Sequence, residues 1–239
     1  MEADEYRLMD QAESGMWWYR ALHARLLAAL APVRGRVLDA GCGTGGLLAL
    51  LRARRPDLML TGCEWDGWAA ARAAGKAGVA VARGGVGALP FAAGSFDAVV
   101  LADVLCHEAV DPPAALAEVA RVLRPGGRLV VNMPAFMWLY SAHDRRVGNA
   151  RRVSAGELRG WLRQAGFAVV GVRYWNGLLL PLLALRRKIR PDTAASDVAA
   201  LPPWLDAILF AITRLEGALP PMPAGSSVLA IATRAEPPP

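Results

Sequence analysis

Arg36-Val37-Leu38-Asp39-Ala40-Gly41-Cys42-Gly43-Thr44-Gly45-Gly46 is the stretch that decides the fold of this chain. A short apolar run ends in a carboxylate, passes at once into a glycine-rich turn, and continues as the helical pattern of Leu47 to Arg54. That order is strand, tight loop, helix. Glycine carries no Cβ, so the backbone can take positive φ and a ligand can come close. The N–H groups of the helix start point into the same space. Gly41, Gly43 and Gly46 also satisfy the dinucleotide fingerprint G-x-G-x-x-G, so spacing alone leaves the ligand ambiguous.

Residues further along separate the ligands. Glu64 ends the next apolar run, Leu58-Met59-Leu60-Thr61-Gly62-Cys63, where a carboxylate can take a ribose diol. Phe96-Asp97-Ala98-Val99-Val100 is a third strand, and Leu123-Arg124-Pro125-Gly126-Gly127-Arg128-Leu129 a turn into a fourth. Taken together, Leu38 to Gly45, Leu89-Pro90-Phe91, Ser95-Phe96-Asp97 and Leu123-Arg124-Pro125-Gly126-Gly127 resemble the class I S-adenosylmethionine-dependent methyltransferases. The resemblance covers about Val37 to Val131 and fades toward both ends. It implies a Rossmann-like fold and S-adenosyl-L-methionine as cofactor, and it says little about substrate.

What the resemblance implies for the cofactor falls on Asp39, Gly41, Cys42, Gly43, Gly45, Glu64, Trp65, Gly85, Val86, Leu101 and Asp103. Related enzymes usually carry an acidic residue near the third strand for adenine. The matching position here is Gly85, so the backbone of Gly85 and Val86 is expected to serve instead. Two alternatives remain: a nicotinamide-dependent oxidoreductase using the same glycines, and a catalytically idle cofactor-binding regulator or scaffold. The placement of Asp39 and the Pro125-Gly126-Gly127 turn count against the first.

The 239 residues suffice for one α/β domain with embellishments, and a hydrophobic content of 54% permits a full core. Only Lys76 and Lys188 are lysines, so the net charge of +6 rests on arginine in an alanine- and glycine-rich chain. No basic run interleaved with aromatics forms a strand-binding groove, and nucleic acid is not expected as a partner. Cys42, Cys63 and Cys106 lack metal spacing; free thiols in a reducing cytoplasm, and no metal, are expected. Met1 to Glu5 is acidic, without a signal-peptide pattern, and no apolar run is long enough to span a bilayer.

The pattern predicts helices from Tyr6 to Leu30, interrupted by Trp17-Trp18-Tyr19-Arg20, as a lid over residues 1–34. Strands at Val37–Ala40, Leu58–Cys63, Val79–Ala82, Phe96–Ala102 and Arg128–Met133 alternate with helices, which indicates a doubly wound parallel sheet in a core of residues 35–175. Asp66 and Asp111 are expected N-caps, the second followed by Pro112 in a helix reaching Arg124. Ser154 and Glu157 form a capping-box pattern ahead of a helix to Ala165, and strands follow at Phe167–Trp175 and Ser226–Thr233. About seven strands result, with a helical cap at 176–225 inserted before the last strand and a tail that ends at 239.

Methyl transfer asks mainly for positioning and exclusion of water, and an oxygen or nitrogen nucleophile benefits from a base near neutral pH. Histidine is the natural candidate. His23 lies in the N-terminal helix; His107 follows the fourth strand; His143 stands beside Asp144 in the long connection from Asn132 to Arg152. The stretch from Pro134 through His143-Asp144 to Arg151-Arg152 resembles a bacterial, small-molecule branch of the superfamily. His143 as base with Asp144 as orienter, or His107, are the candidates. Trp18, Tyr19, Arg20, Trp138, Tyr140 and Arg152 are the expected acceptor-binding residues. The acceptor is expected to be a small or lipophilic molecule. Leu178–Leu185, followed by Arg186-Arg187-Lys188-Ile189-Arg190, and the stripe Trp204, Leu205, Ile208, Leu209, Ile212, Leu215 suggest a substrate cap; either its helices pack on each other and on the sheet with the arginines solvated, or the cap also meets the inner face of a membrane peripherally.

Overall fold

The computed structural model describes residues 3–189 and 201–235. Strands β1 (Gly35–Ala40), β2 (Leu58–Glu64), β3 (Ala80–Arg83), β4 (Phe96–Ala102) and β5 (Leu123–Pro134) run parallel. β7 (Ser227–Arg234) inserts antiparallel between β5 and β6 (Phe167–Trp175), giving the order β3-β2-β1-β4-β5-β7-β6. This is the seven-stranded, Rossmann-like doubly wound sheet expected from sequence.

Both faces of the sheet are buried, so its central strands read as continuous apolar runs rather than alternating ones. Leu38, Val99, Leu101, Leu129 and Val131 face one side, against α5 (Pro112–Val122) and α7 (Ala155–Gln164). Val37, Ala98, Val100 and Val130 face the other, against α2 (Trp17–Ala29) and α3 (Gly46–Arg54). The period of two therefore divides each strand between two cores. α4 (Gly67–Ala77) packs Ala73 and Ala77 on Cys42 and Leu48.

Helix ends follow local chemistry. Asp66 accepts from the Ala69 N–H at 2.8 Å to open α4, and Gly78 closes it in the left-handed conformation. Asp111 caps α5 ahead of Pro112, and Ser154 with Glu157 boxes α7. α5 stops at Val122, two residues short of the expected Arg124, because Leu123 has turned extended and pairs with Phe96 of β4. The Pro125-Gly126-Gly127 turn thus lies inside an irregular start to β5, where the register shifts between Phe96 and Ala98.

Around this frame stand α1 (Ala3–Ala12) and α2 at the N-terminus, and α8 (Leu180–Ile189) and α9 (Pro203–Glu216) between β6 and β7. The long connection after β5 holds a 3-10 turn at Met137–Leu139 and α6 (Ala142–Arg146), neither of which is legible from periodicity. α9 is stapled to α2: Asp206 accepts from the Trp17 N–H at 2.6 Å and pairs with Arg20 at 3.2 Å, while the Arg20 guanidinium lies 3.7 Å from the Phe210 ring centre. At its far end Glu216, buried, accepts from the N–H groups of Asn176, Gly177 and Leu178 at 2.6, 2.7 and 3.1 Å. Asn176 is held at φ +59, and the three donors converge on one carboxylate.

Candidate active site

In an open parallel sheet the ligand crevice lies outside the carboxyl ends of the strands, where the strand order reverses. Here that point is between β1 and β4. The turn after β1 carries Gly41 at φ +82 and Gly45 at φ +90. A Cβ on Gly41 would stand 2.5 Å from Val104 Cγ2, and one on Gly45 2.7 Å from Ala73 Cα. Neither position admits another residue, and the backbone is left bare as a cradle.

Three carboxylates surround the cradle. Asp39, at the end of β1, is buried, and burial with Glu64 and Glu13 nearby pushes its carboxyl up to about 7. Glu64, at the end of β2, accepts on Oε1 from the Tyr6 hydroxyl and the N–H groups of Trp65 and Asp66, and on Oε2 from the Gly43 N–H. Glu13 accepts from the Thr44 hydroxyl at 2.7 Å and pairs with Lys76. Tyr6 and Glu13 both come from the α1 side, and Met9 of α1 rests on Gly43, 2.7 Å from where its Cβ would be. The N-terminal segment therefore packs onto the glycine turn.

Asp103 follows β4. It is a non-glycine residue at φ +54, a sparsely populated conformation that short polar side chains tolerate. Asn132 of β5 donates to its Oδ1 at 2.9 Å, and Asn132 Oδ1 in turn accepts from the Trp175 indole at 2.8 Å. The Arg25 guanidinium lies 4.6 Å from the Trp175 ring centre and pairs with Glu216 at 3.5 Å. A polar chain thus runs from the strand end to the cap. Burial pushes the Asp103 carboxyl up to about 6, against the opposing pull of Asn132 and the Arg152 charge.

The remaining sequence candidates divide. Tyr19 is brought to the site: burial and the charges of Glu13, Asp103 and Glu5 raise its phenol. His23, one turn on, stands 6.1 Å from the Tyr19 ring, and burial lowers it to about 4. Trp18 stacks on Trp175 at 5.8 Å as part of the packing of α2. Arg20 spends its charge on Asp206 of α9. Cys42 is buried beside the glycines, where burial and Asp39 raise its thiol. Leu101 is wholly buried in the core, which leaves only its backbone for a ligand. Trp65 is 69% exposed, with only its N–H turned toward Glu64; Gly85 is exposed and Val86 buried beyond β3.

The loop after β5 is organised by Asp144 rather than by its histidine. The Asp144 carboxylate, fully buried, accepts from the Ser141 N–H at 2.9 Å, the Ser141 hydroxyl at 3.1 Å, and Arg152 Nε and Nη2 at 2.9 Å each. Arg152 Nη1 donates to the Ala135 carbonyl at 3.2 Å. Tyr140 donates to the Asn149 carbonyl at 2.8 Å, and Trp138 is 63% exposed, stacked 5.9 Å from Phe136. His107 is half-buried, and desolvation lowers it from its ordinary value, with its ring hydrogen-bonded to backbone at Gly148 and Val147. His143 lies on α6 next to Asp144. Sequence reasoning missed Tyr6, Glu13, Asn132, Trp175 and Glu216. Of these only Asn132 leaves a local sign, a polar residue inside Leu129-Val130-Val131-Asn132-Met133.

No group of three or more His, Cys, Asp and Glu among the described residues is arranged to hold a metal ion, and no helix among them is long and apolar enough to cross a membrane. A methyltransferase-domain family model matches residues 38–131. The chain is 35% identical over 185 residues to the O-methyltransferase cnsE of Penicillium expansum, an alignment that covers 72% of this chain and 63% of that protein. It is 32% identical over 193 residues to a demethylmenaquinone methyltransferase of Clavibacter sepedonicus, covering 68% and 77%. The geranyl diphosphate C-methyltransferase of Streptomyces coelicolor A3(2) superposes with a TM-score of 0.63 over 90% of this chain and 80% of that one, at 18% identity, which speaks for the fold. With the glycine turn, Glu64 and the strand order already in place, these likenesses show that the chain belongs to the class I S-adenosylmethionine-dependent methyltransferases.

Proposed function

We propose that this chain is a working methyltransferase that takes S-adenosylmethionine as cofactor and methylates an oxygen or nitrogen of a small, lipophilic acceptor. The observation that carries the reading is Asp103: a half-buried carboxyl in a strained backbone, pushed up to about 6, at the end of β4 beside the glycine turn. Such a group is costly to keep and suits a proton acceptor.

The site fits the cofactor. Gly41 and Gly45, where positive φ and contacts with Val104 and Ala73 exclude a side chain, hold the turn tight against the strand ends where the cofactor would lie. Asp39 and Glu13 face its cationic end and Glu64 its ribose hydroxyls, with the backbone of Gly85 and Val86 left for adenine. When bound, the cofactor supplies a methyl group on a sulfonium that needs no acid to leave. The chain's own work is then to hold the acceptor, exclude water and take a proton at Asp103. We assign Asp103 as base, with His143 as the alternative; His107 and Asp144, each committed to backbone or to Arg152, position the loop around it. Tyr19 supplies the acceptor wall from α2. The name of one relative points to a lipophilic acceptor, demethylmenaquinone, and the cap would reach such a molecule at a membrane.

Two variants test the cofactor assignment by titration calorimetry. Glu64→Ala removes a charged acceptor and should weaken S-adenosylmethionine by roughly 1.5–3 kcal/mol; unchanged affinity would remove Glu64 from the site. Tyr6→Phe should act the other way. Four donors already engage the Glu64 carboxylate, about as many as its lone pairs accept. Of these only Tyr6 comes from another helix and can withdraw, so deleting its hydroxyl should tighten the cofactor by about 1 kcal/mol. A loss of affinity in Tyr6→Phe would instead make the lid a direct ligand.

A further inference from the structure

The cap turns an apolar face away from the sheet. In α9, Trp204, Ile208 and Leu215 are 65%, 49% and 60% exposed. At the helical period they fall within about 40° of one another, and Ala207 and Ala211, also exposed, continue the stripe. The opposite side of the same helix holds Thr213 and Glu216, both buried, and Phe210 against the core. In α8, Leu182 and Leu185 are exposed, with Pro181 and Arg186 beside them. The Glu216 carboxylate bound to the Leu178 N–H joins the end of α9 to the approach to α8, and Leu178, Leu215 and Leu219, next to this bond in sequence, are all exposed.

The charge around this face selects its occupant. Both acidic residues of α9 are turned inward, Asp206 onto Arg20 and Glu216 onto Arg25. Exposed Arg186 and Arg214 border the stripes. The sequence continues past Arg186 as Arg187-Lys188-Ile189-Arg190, of which Arg190 lies outside the described residues. An apolar stripe edged by arginine, with its carboxylates withdrawn, matches a surface that is apolar below and anionic above. We infer that the outer face of the cap docks on an anionic lipid surface, with Trp204, Ile208, Leu215 and Leu182 at the boundary between headgroups and acyl chains and Arg186 and Arg214 at the phosphates. This deepens the membrane contact in the proposed function, rests on that reading only for the source of the acceptor, and is measured without turnover.

The test is flotation of the full chain with vesicles of phosphatidylcholine alone or mixed with phosphatidylglycerol, at low and high salt. The chain should float with mixed vesicles at low salt and largely stay behind at high salt. Paired Ile208→Asp and Leu215→Asp should abolish flotation while cofactor affinity stays level. Paired Arg186→Gln and Arg214→Gln should weaken binding to mixed vesicles about tenfold and flatten its salt dependence. Three results overturn the inference: no flotation at low salt; flotation that survives Ile208→Asp and Leu215→Asp, which would trace it to the overall positive charge; or a dimer in light scattering that those two changes turn into a monomer, which would make the stripe a self-association face. A chain that floats but binds no cofactor would keep the docking surface and remove the proposed activity.

Discussion

Asp103→Asn is expected to lower turnover about 10²-fold or more while making the protein more stable above pH 6. The exchange is nearly isosteric, and asparagine also tolerates the positive φ found there. The new amide oxygen can still accept from Asn132, so the chain through Trp175 is kept. What goes is the ability to take a proton. The sign of the stability change follows from linkage. The carboxyl titrates at about 6 when folded against 3.8 when free, so the folded state binds this proton more tightly. That advantage is complete below the unfolded value and is lost as pH rises through the folded one. Asparagine never ionises, so the variant should gain on the order of 1–3 kcal/mol at pH 8 and almost nothing at about pH 3. Wild-type turnover should rise with pH through about 6 and then level, as a base with that value requires. Calorimetry across pH, with kcat and cofactor Kd measured on the same samples, separates the outcomes. A variant that turns over normally, paired with a His143→Ala variant that does not, would pass the base to His143.

How much of this was legible depends on the range of the contacts. The sheet could be read because each strand ends on a local event: Asp39 before the glycines, Glu64 after Cys63, Asp103 after Ala102. Caps at Asp66, Asp111 and Ser154 are equally local and stand where their spacing puts them. The lid could not be read to its contacts. Tyr6 meets Glu64 across 58 positions, and a tyrosine in a short polar helix carries no mark of that partner. Arg20 was legible as a special arginine but not as the partner of Asp206, 186 positions away. Gly85, the position expected to meet adenine, shows the opposite case: it is a departure visible in sequence, and the structure leaves open space where its Cβ would be.

Asp144 and Arg152 were both visible as unusual residues, and the physical reason is the bond between them. Ser141-Ala142-His143-Asp144 has the S-x-x-D spacing of a capping box, which turns the Asp144 carboxylate back onto the Ser141 N–H and fixes where it points. Arg152, eight positions on, then closes on it from the returning chain, its side chain only 5% exposed. Both charges are out of water. Asp144→Ala strands the guanidinium, which keeps its bond to the Ala135 carbonyl, and removes two bonds to Ser141. The expected cost is about 3–5 kcal/mol, the range for breaking a buried pair from one side. Arg152→Met, which leaves the carboxylate its Ser141 donors, should cost less. Combining Asp144→Leu with Arg152→Met should recover much of the loss, because no charge is then left unpaired. Denaturant melts of the single and paired variants measure the coupling. If Asp144→Ala costs under about 1 kcal/mol, the pair does not hold the loop. Activity per folded molecule then decides the second role: a loop that only positions the site should retain cofactor affinity in the paired variant, whereas an Asp144 that orients His143 should lose turnover in both the single and the paired form even where the fold is restored.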